Sequence, residues 1–448
     1  MANHVTTQDE VSNPHPAASS DSAKTLTEPR RSEFSIFGLS GRPLVAALVG
    51  WFFVVFDGYD LIVYGTVQSH IMEEWSLTPA QAGTLGSTAF LGMMIGAVAL
   101  GRISDAMGRK FAIIFSVVVL SVFTILCAFS HNPVLFGLFR LFAGFGLGGL
   151  VPSVNAMVSD LAPVRYRALW ATWTMSGVPI GGSIAAVVAI FVVPTHDEWG
   201  WRFMFLFAAI PLIIGLPLAL KTFPQQEKAA AEAEKAAKKA RPGFGSLFSL
   251  EYRFATVMFV LATVFTLLAW YGLGTWLPKL MQQSGYNFGA ALVFTLVLNL
   301  GAVIGSFITG WIGDTFGPLR SAIISASVAA VALFCLLLHP PVGLVYIILV
   351  LAGVGTHGTQ VLIIAAIATY YPQDLRGTGL GFALGFGRIG AVAAPQLAGL
   401  LLGLQWANES AGVASNYVLF AGSAAVSAVL LTLLSLGRRR SAHVREAA

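Results

Sequence analysis

The chain has little charge and almost no cysteine. Asp, Glu, Lys and Arg make up 10% of its 448 residues, against about 25% in soluble domains. That scarcity excludes an ordinary soluble fold. Its two cysteines, Cys127 and Cys335, fall inside apolar runs. They offer no disulfide framework and no thiolate metal site, and read as small core residues. The first 40 residues lack an apolar h-region, which excludes a signal peptide. Rich in Ser, Thr, Pro and Ala, residues 1–40 are expected to form a disordered tail. Eight scattered histidines make no metal cluster, and no nucleophile–base set is visible. The reading is therefore of no enzyme, no metal and no other cofactor.

What is abundant is apolar. Hydrophobic residues make up 56% of the chain, and the mean hydropathy is +0.76. Twelve apolar runs recur, at about 44–66, 81–101, 111–130, 133–157, 167–192, 202–221, 255–280, 290–311, 320–338, 342–366, 378–404 and 416–437. Each can cross a bilayer, and only helices satisfy the backbone of such segments in lipid. The predicted fold class is an all-α membrane protein of twelve transmembrane helices.

Positive charge collects on alternate loops: Arg30, Arg31 and Arg42; Arg102, Arg109 and Lys110; Arg165 and Arg167; 221–253; Arg320; Arg376; and 438–440. The positive-inside rule then puts both termini and the long central loop in the cytoplasm. The net charge of +5 is thus an orientation signal and not a nucleic-acid footprint. The partner is the lipid bilayer, in the plasma membrane, and a monomer is expected. An Ala/Glu/Lys-rich stretch, 227–241, should form a solvated helix ended by Pro242-Gly243. The expected organisation is a tail at 1–40, a six-helix half at 41–221, a loop at 222–253, a second half at 254–437 and a basic tail at 438–448.

The halves echo each other. Gly101, Asp105, Gly108, Arg109 and Lys110 follow the second run; Gly310, Asp314, Gly317 and Arg320 follow the eighth. Asp105 and Asp314 lie 209 positions apart, as do Gly108 and Gly317, Pro163 and Pro372, and Arg167 and Arg376. Gly144, Gly146 and Gly149 match Gly353, Gly355 and Gly358 at the same offset. Two parallel six-helix repeats imply a rocker switch with its substrate near the midplane between them. The Gly-x-Gly-x-x-Gly patterns at 144–149, 353–358 and 385–390 follow no soluble strand. They are packing glycines, not dinucleotide sites.

Across 40–440 the chain resembles the major facilitator superfamily, whose signature is the Gly101-x-x-x-Asp105-x-x-Gly108-Arg109-Lys110 loop. Asp57-Gly-Tyr-Asp60, Tyr271-Gly-Leu-Gly-Thr-Trp276-Leu-Pro278, Gly358-Thr-Gln360 and Gly385-Phe-Gly387-Arg388 look like the superfamily's aromatic acid/proton symporters. The resemblance implies proton-coupled import of benzoate, a hydroxybenzoate, gentisate or protocatechuate by alternating access. It also implies that Asp105, Arg109 and Asp314, with Gly101, Gly108 and Gly317, form a gate.

Four charged residues lie well inside apolar runs: Asp57, Asp60, Arg140 and Arg388. A charge at the bilayer centre costs about 2.5–3.5 kcal/mol on insertion scales, so such residues usually face a cavity. Asp57 and Asp60 share one helix face and suit the carrying of a proton. Arg388 can fork onto a substrate carboxylate, or stand in a fixed ion pair with either aspartate. Arg140 can tune coupling, as in the superfamily, or anchor its helix to an aspartate. His357 and Gln360, also on one face, can bind a ring hydroxyl or the carboxylate. Tyr59, Tyr64, Trp173, Tyr271, Trp276 and Phe386 can stack on an arene. Three alternatives stay open. A proton-driven exporter would fit Gly177-Val-Pro179-Ile-Gly181-Gly182, which resembles the exporters' motif. A sugar porter fits less well, since Thr222-Phe-Pro224 replaces the acidic signature expected there. A receptor that binds aromatic acids without moving them would leave the embedded aspartates without a purpose.

Overall fold

The computed structural model describes residues 35–196, 198–224, 243–404 and 409–446. The helix expected at 227–241 and the tail before residue 35 lie outside them. Among the described residues, twelve helices are long and apolar enough to cross a bilayer. In chain order they are α1 Gly41–Glu74, α2 Pro79–Met107, α3 Arg109–Ala128, α4 Pro133–Leu161, α5 Arg167–Val192 and α6 Gly200–Thr222; then α7 Arg253–Gln283, α8 Phe288–Phe316, α9 Pro318–Cys335, α10 Val342–Tyr370, α11 Gln373–Gly403 and α12 Glu409–Glu446. They coincide with the twelve expected runs. Most extend past them, because a helix stops at a cap and not where apolar residues end. Thr78 accepts from the Gln81 backbone N–H at 3.3 Å, ahead of Pro79. Asn132 and Asn287 cap α4 and α8 in the same way, each at 2.8 Å. Within α6, Pro211 and Pro217 lack backbone N–H groups, and a π-turn at Pro211–Gly215 absorbs the defect.

Two ends depart from expectation. Residues 35–40, placed in the disordered tail, form a hairpin in which Ser35–Ile36 pairs with Leu39–Ser40. The turn holds because Phe37 stacks edge-on against Trp170, with ring centroids 6.1 Å apart, and Leu39 is buried. At the other end, the backbone of α12 continues to Glu446 through the expected basic tail.

Glycine sets the packing, and it does so at a constant sequence offset. A Cβ at Gly144 would overlap the Ala89 carbonyl, and one at Gly353 would overlap that of Leu298. Gly146 lies against Ser116 and Leu120, and Gly355 against Ser325 and Ala329. Gly181 meets Val55, and Gly390 meets Val264. Every partner in these pairs is displaced by the same 209 positions as its glycine. Gly108 and Gly317, each joining two helices, share a backbone conformation with φ of 89° and 87°, open to glycine at little cost.

The two six-helix groups meet tightly where α1 and α7 end and α2 begins. Gly65 of α1 abuts the Gly274 and Thr275 carbonyls of α7. Gly83 of α2 abuts the Pro395 carbonyl of α11, and Gly399 of α11 abuts that of Pro79. Polar side chains lock the same end. Thr84 Oγ1 donates to Gln396 Oε1 at 2.7 Å, and Ser87 Oγ to the Val392 carbonyl at 2.7 Å. At the opposite end, Gly101 of α2, Gly310 of α8, and Gly381 and Gly385 of α11 have no heavy atom within 4 Å of where a Cβ would stand. These contacts shut one end of the bundle, and among the described residues no hydrogen bond or ion pair joins the two groups at the opposite, parted end.

Candidate functional site

The site grows from the middle of α1. Gly58 allows α1 to press onto the Val178 backbone of α5, and Gly181 returns the contact. That close approach fixes the rotation of α1, and it accounts for the glycines of the 177–182 motif by packing alone. Asp57 and Asp60 are thereby turned inward, each 2% exposed.

Their surroundings differ. One Asp60 oxygen accepts from Arg140 Nη1 of α4 at 2.7 Å, and the other from Thr124 Oγ1 of α3 at 2.6 Å. Arg140 Nη2 also donates to the Asp60 carbonyl at 3.2 Å. The guanidinium is 1% exposed and lies 6.0 Å from the centroid of the Tyr64 ring. Both charges are therefore paired and hydrogen-bonded, as burial in lipid demands. Asp57 has no such partner among the described residues: its Oδ1 is buried without a hydrogen bond. The charges acting on it are Arg388 of α11 first and Asp60 second.

Arg388 is half-buried and, among the described residues, makes no direct ion pair. Its position follows from Gly387 and Gly390, which seat α11 on Thr263 and Val264 of α7. Tyr271 of α7 feels both Arg388 and Asp57, and its ring lies 4.7 Å from that of Phe90 on α2. Asp57, Tyr271 and Arg388 thus lie within electrostatic reach of one another across the two halves. The ring of the adjacent Trp270 lies 5.1 Å from that of His357 on α10. His357 Nε2 and Gln360 Oε1, one turn apart, are buried without hydrogen bonds.

Tyr64 and Trp276 spend their polar atoms on backbone carbonyls. Tyr64 donates to the Ala82 carbonyl at 2.7 Å, and the Trp276 indole to that of Pro395 at 3.0 Å. Both are buried at the shut end. Arg109 pairs with Asp160 of α4 within its own half and donates to the Ala156 carbonyl at 3.2 Å. Asp314 is exposed at the parted end. Asp105 lies on α2, with its side chain outside the described residues.

Three features escaped the sequence reading. Thr124 gave no signal, since hydroxyls in spanning helices are common and usually bond their own backbone. Asp160 lies outside the loop motif that draws attention to Arg109. Asn299 of α8 is fully buried against Gly182 of α5, with its Oδ1 unpartnered. No group of three metal-ligating side chains occurs among the described residues.

Comparison with known proteins extends this description. The family profile described as Major Facilitator Superfamily matches residues 48–302 and 290–448. A gentisate transporter of Corynebacterium glutamicum is 60% identical over 416 residues, which cover 93% of this chain and 92% of that protein. The benzoate transport protein of Acinetobacter baylyi is 34% identical over 385 residues, 79% of this chain and 82% of that one. Among solved structures, a D-xylose–proton symporter superposes with a TM-score of 0.72 at 19% identity, covering 87% of this chain and 96% of that chain.

Proposed function

The chain belongs to the Major Facilitator Superfamily, and from that premise we propose that this multi-pass membrane protein imports a small aromatic carboxylate together with protons. Gentisate is the first substrate to test, benzoate and the other hydroxybenzoates the next, given the relatives named above.

The observation that carries the reading is the contrast between paired and unpaired charge. Asp60 and Arg140 pair directly, although the Arg140 Nε has no partner of its own. Asp57 and Arg388 face each other's field across the two halves and form no direct ion pair. Arg388 offers a planar fork to the substrate carboxylate, which neutralises it and supplies two charge-assisted hydrogen bonds. Asp57 then carries the proton, and Tyr271 and Phe90 present aromatic surface to the ring. His357 Nε2 and Gln360 Oε1 are free to meet ring hydroxyls.

Entry of one anion with one proton moves little net charge, so the proton gradient can drive accumulation. By the distribution of basic residues, the parted end is the cytoplasmic one, and the described conformation is inward-open. Release of the carboxylate would return Arg388 to the field of Asp57, and loss of the proton would reset the pair. Rocking about the midplane exchanges the shut and parted ends.

The test is uptake of labelled gentisate, benzoate and 4-hydroxybenzoate by cells lacking their own transporters, with and without a protonophore. Accumulation of at least one of these acids, abolished by the protonophore, is expected. Binding without flux would show a receptor, and uptake blind to the protonophore would remove the proton.

A further inference from the structure

A second cluster of charge lies far from Asp57, where the N-terminal ends of α1 and α3 meet the C-terminal end of α6. Arg42, Lys110 and Lys221 line a cavity of about 430 Å³ there, together with Leu161 and Phe223. No carboxylate lines it among the described residues. Elsewhere in this half Arg140 pairs with Asp60, Arg202 with Glu74 and Arg109 with Asp160, while Arg165 and Arg167, like the three cavity cations, have no described ion pair; what sets the three apart is that they converge on one cavity.

The hydrogen bonds present explain the position of the three side chains but not their charge. Lys110 Nζ donates to the Leu220 and Phe223 carbonyls at 2.8 and 3.1 Å, and Arg42 Nη2 to the Lys221 carbonyl at 3.2 Å. These are carbonyls at the end of α6, where the last turn has no helical donor left. Such capping is neutral on the acceptor side. Three positive charges remain around one cavity, with most of the arginine's donors and all of the Lys221 ammonium's unspent among the described residues.

We propose that this cavity binds a phosphate group, and that its source is the headgroup of an anionic phospholipid in the leaflet at that end of the bundle. A phosphate oxygen supplies the charge and the acceptors that the three side chains lack. The lipid source follows from what surrounds the cavity. Along α6, Ile213, Ile214, Leu218 and Leu220 are exposed at 72%, 53%, 41% and 53%. They form an apolar face about 10 Å long on the helix that ends at the cavity, against which the upper part of an acyl chain can lie. Basic pockets between spanning helices on the cytoplasmic side are suited to anionic headgroups, and this end is the cytoplasmic one by its basic residues. A bound headgroup would tie α6 to α1, the helix that carries Asp57 and Asp60.

The test uses the purified full chain in detergent, titrated with phosphatidylglycerol, with phosphatidylcholine, and with inorganic phosphate. Thermal unfolding is the readout. Phosphatidylglycerol should raise the midpoint saturably, and the other two should not. Lys221→Gln removes a side chain with no hydrogen bond in the structure and should fold normally. Its apparent affinity for phosphatidylglycerol should fall roughly fivefold, and that of the Arg42→Gln/Lys221→Gln double variant about fivefold again. Arg165→Gln, at the same end but outside the cavity, should match the unaltered protein. Equal stabilisation by phosphatidylcholine, or full affinity in the double variant, overturns the proposal. An equal shift with inorganic phosphate overturns the lipid source and makes this a soluble-phosphate site.

Discussion

Arg140 Nη1 donates to one carboxylate oxygen of Asp60 at 2.7 Å, across the gap between α4 and α1. Thr124 holds the other oxygen. One turn earlier on α1, Asp57 Oδ1 has neither contact. Two aspartates on one helix face are therefore in different chemical situations, and substitutions should separate them.

Asp60 and Arg140 are expected to show up first in stability. Breaking a buried pair by removing one partner costs about 3–5 kcal/mol, because the survivor is left as an uncompensated charge. Arg140→Ala should lower the unfolding midpoint of the purified protein sharply. Asp57→Asn should leave that midpoint almost unchanged while abolishing proton-driven accumulation. Differential scanning fluorimetry beside an uptake assay measures both, and a large stability loss in Asp57→Asn would contradict the assignment.

Arg388 should behave as a ligand for the carboxylate. Arg388→Ala is expected to abolish uptake. Arg388→Lys keeps the charge but loses the bidentate fork, which should raise KM by about tenfold or more, from hydrogen bonds to charged groups of about 1.5–3 kcal/mol each. Initial rates over a range of aromatic acid concentrations report this directly. An unaltered KM in the lysine variant would move the carboxylate elsewhere.

The shut end is held by close approach, so a wedge there should open it. Gly65→Val places a side chain against the Gly274 and Thr275 carbonyls. Overpacking of this kind costs about 1–3 kcal/mol, enough to shift a two-state equilibrium by about 5–150-fold. Labelling of Ser87→Cys by a membrane-impermeant maleimide, in a background without Cys127 and Cys335, should rise accordingly. Unchanged labelling would mean that this contact does not govern the equilibrium.

External pH should set the driving force. Uptake into intact cells should fall as external pH rises, because loading requires a proton from that side. The Asp57→Asn variant should lose this dependence in any residual flux. Measuring initial uptake between pH 6 and 8 at a fixed internal pH distinguishes the two.

Much of this was legible in the sequence for a physical reason. Hydropathy located all twelve helices, since lipid leaves a spanning segment no other secondary structure. The glycine spacing was visible as a repeat because close helix approach leaves no room for a Cβ. The division between Asp57 and Asp60 was not legible. It depends on Arg140 and Thr124, which lie 80 and 64 residues away in the chain and arrive only by packing. Tyr64 and Trp276 resembled ring-stacking residues, yet the polar atoms of both hold backbone carbonyls at the shut end. An aromatic side chain with a polar tip serves both purposes, and sequence does not separate them. The hairpin at 35–40 was hidden by its polar surroundings, since a single ring, that of Phe37, anchors it.

The constant offset of 209 also says where the halves part company. Thr266 and Ala269 occupy the positions of Asp57 and Asp60, Leu349 that of Arg140, and Pro179 that of Arg388. The frame is duplicated, but the four charges buried in the spanning helices are not. On the proposed mechanism the hinge is symmetric and the cargo hold polarised, with Asp57 on one wall and Arg388 on the other. Damage to a packing glycine should be equally harmful in either copy. A charge moved to its counterpart position would meet a wall built for its opposite, so the two halves are interchangeable as mechanics and not as chemistry.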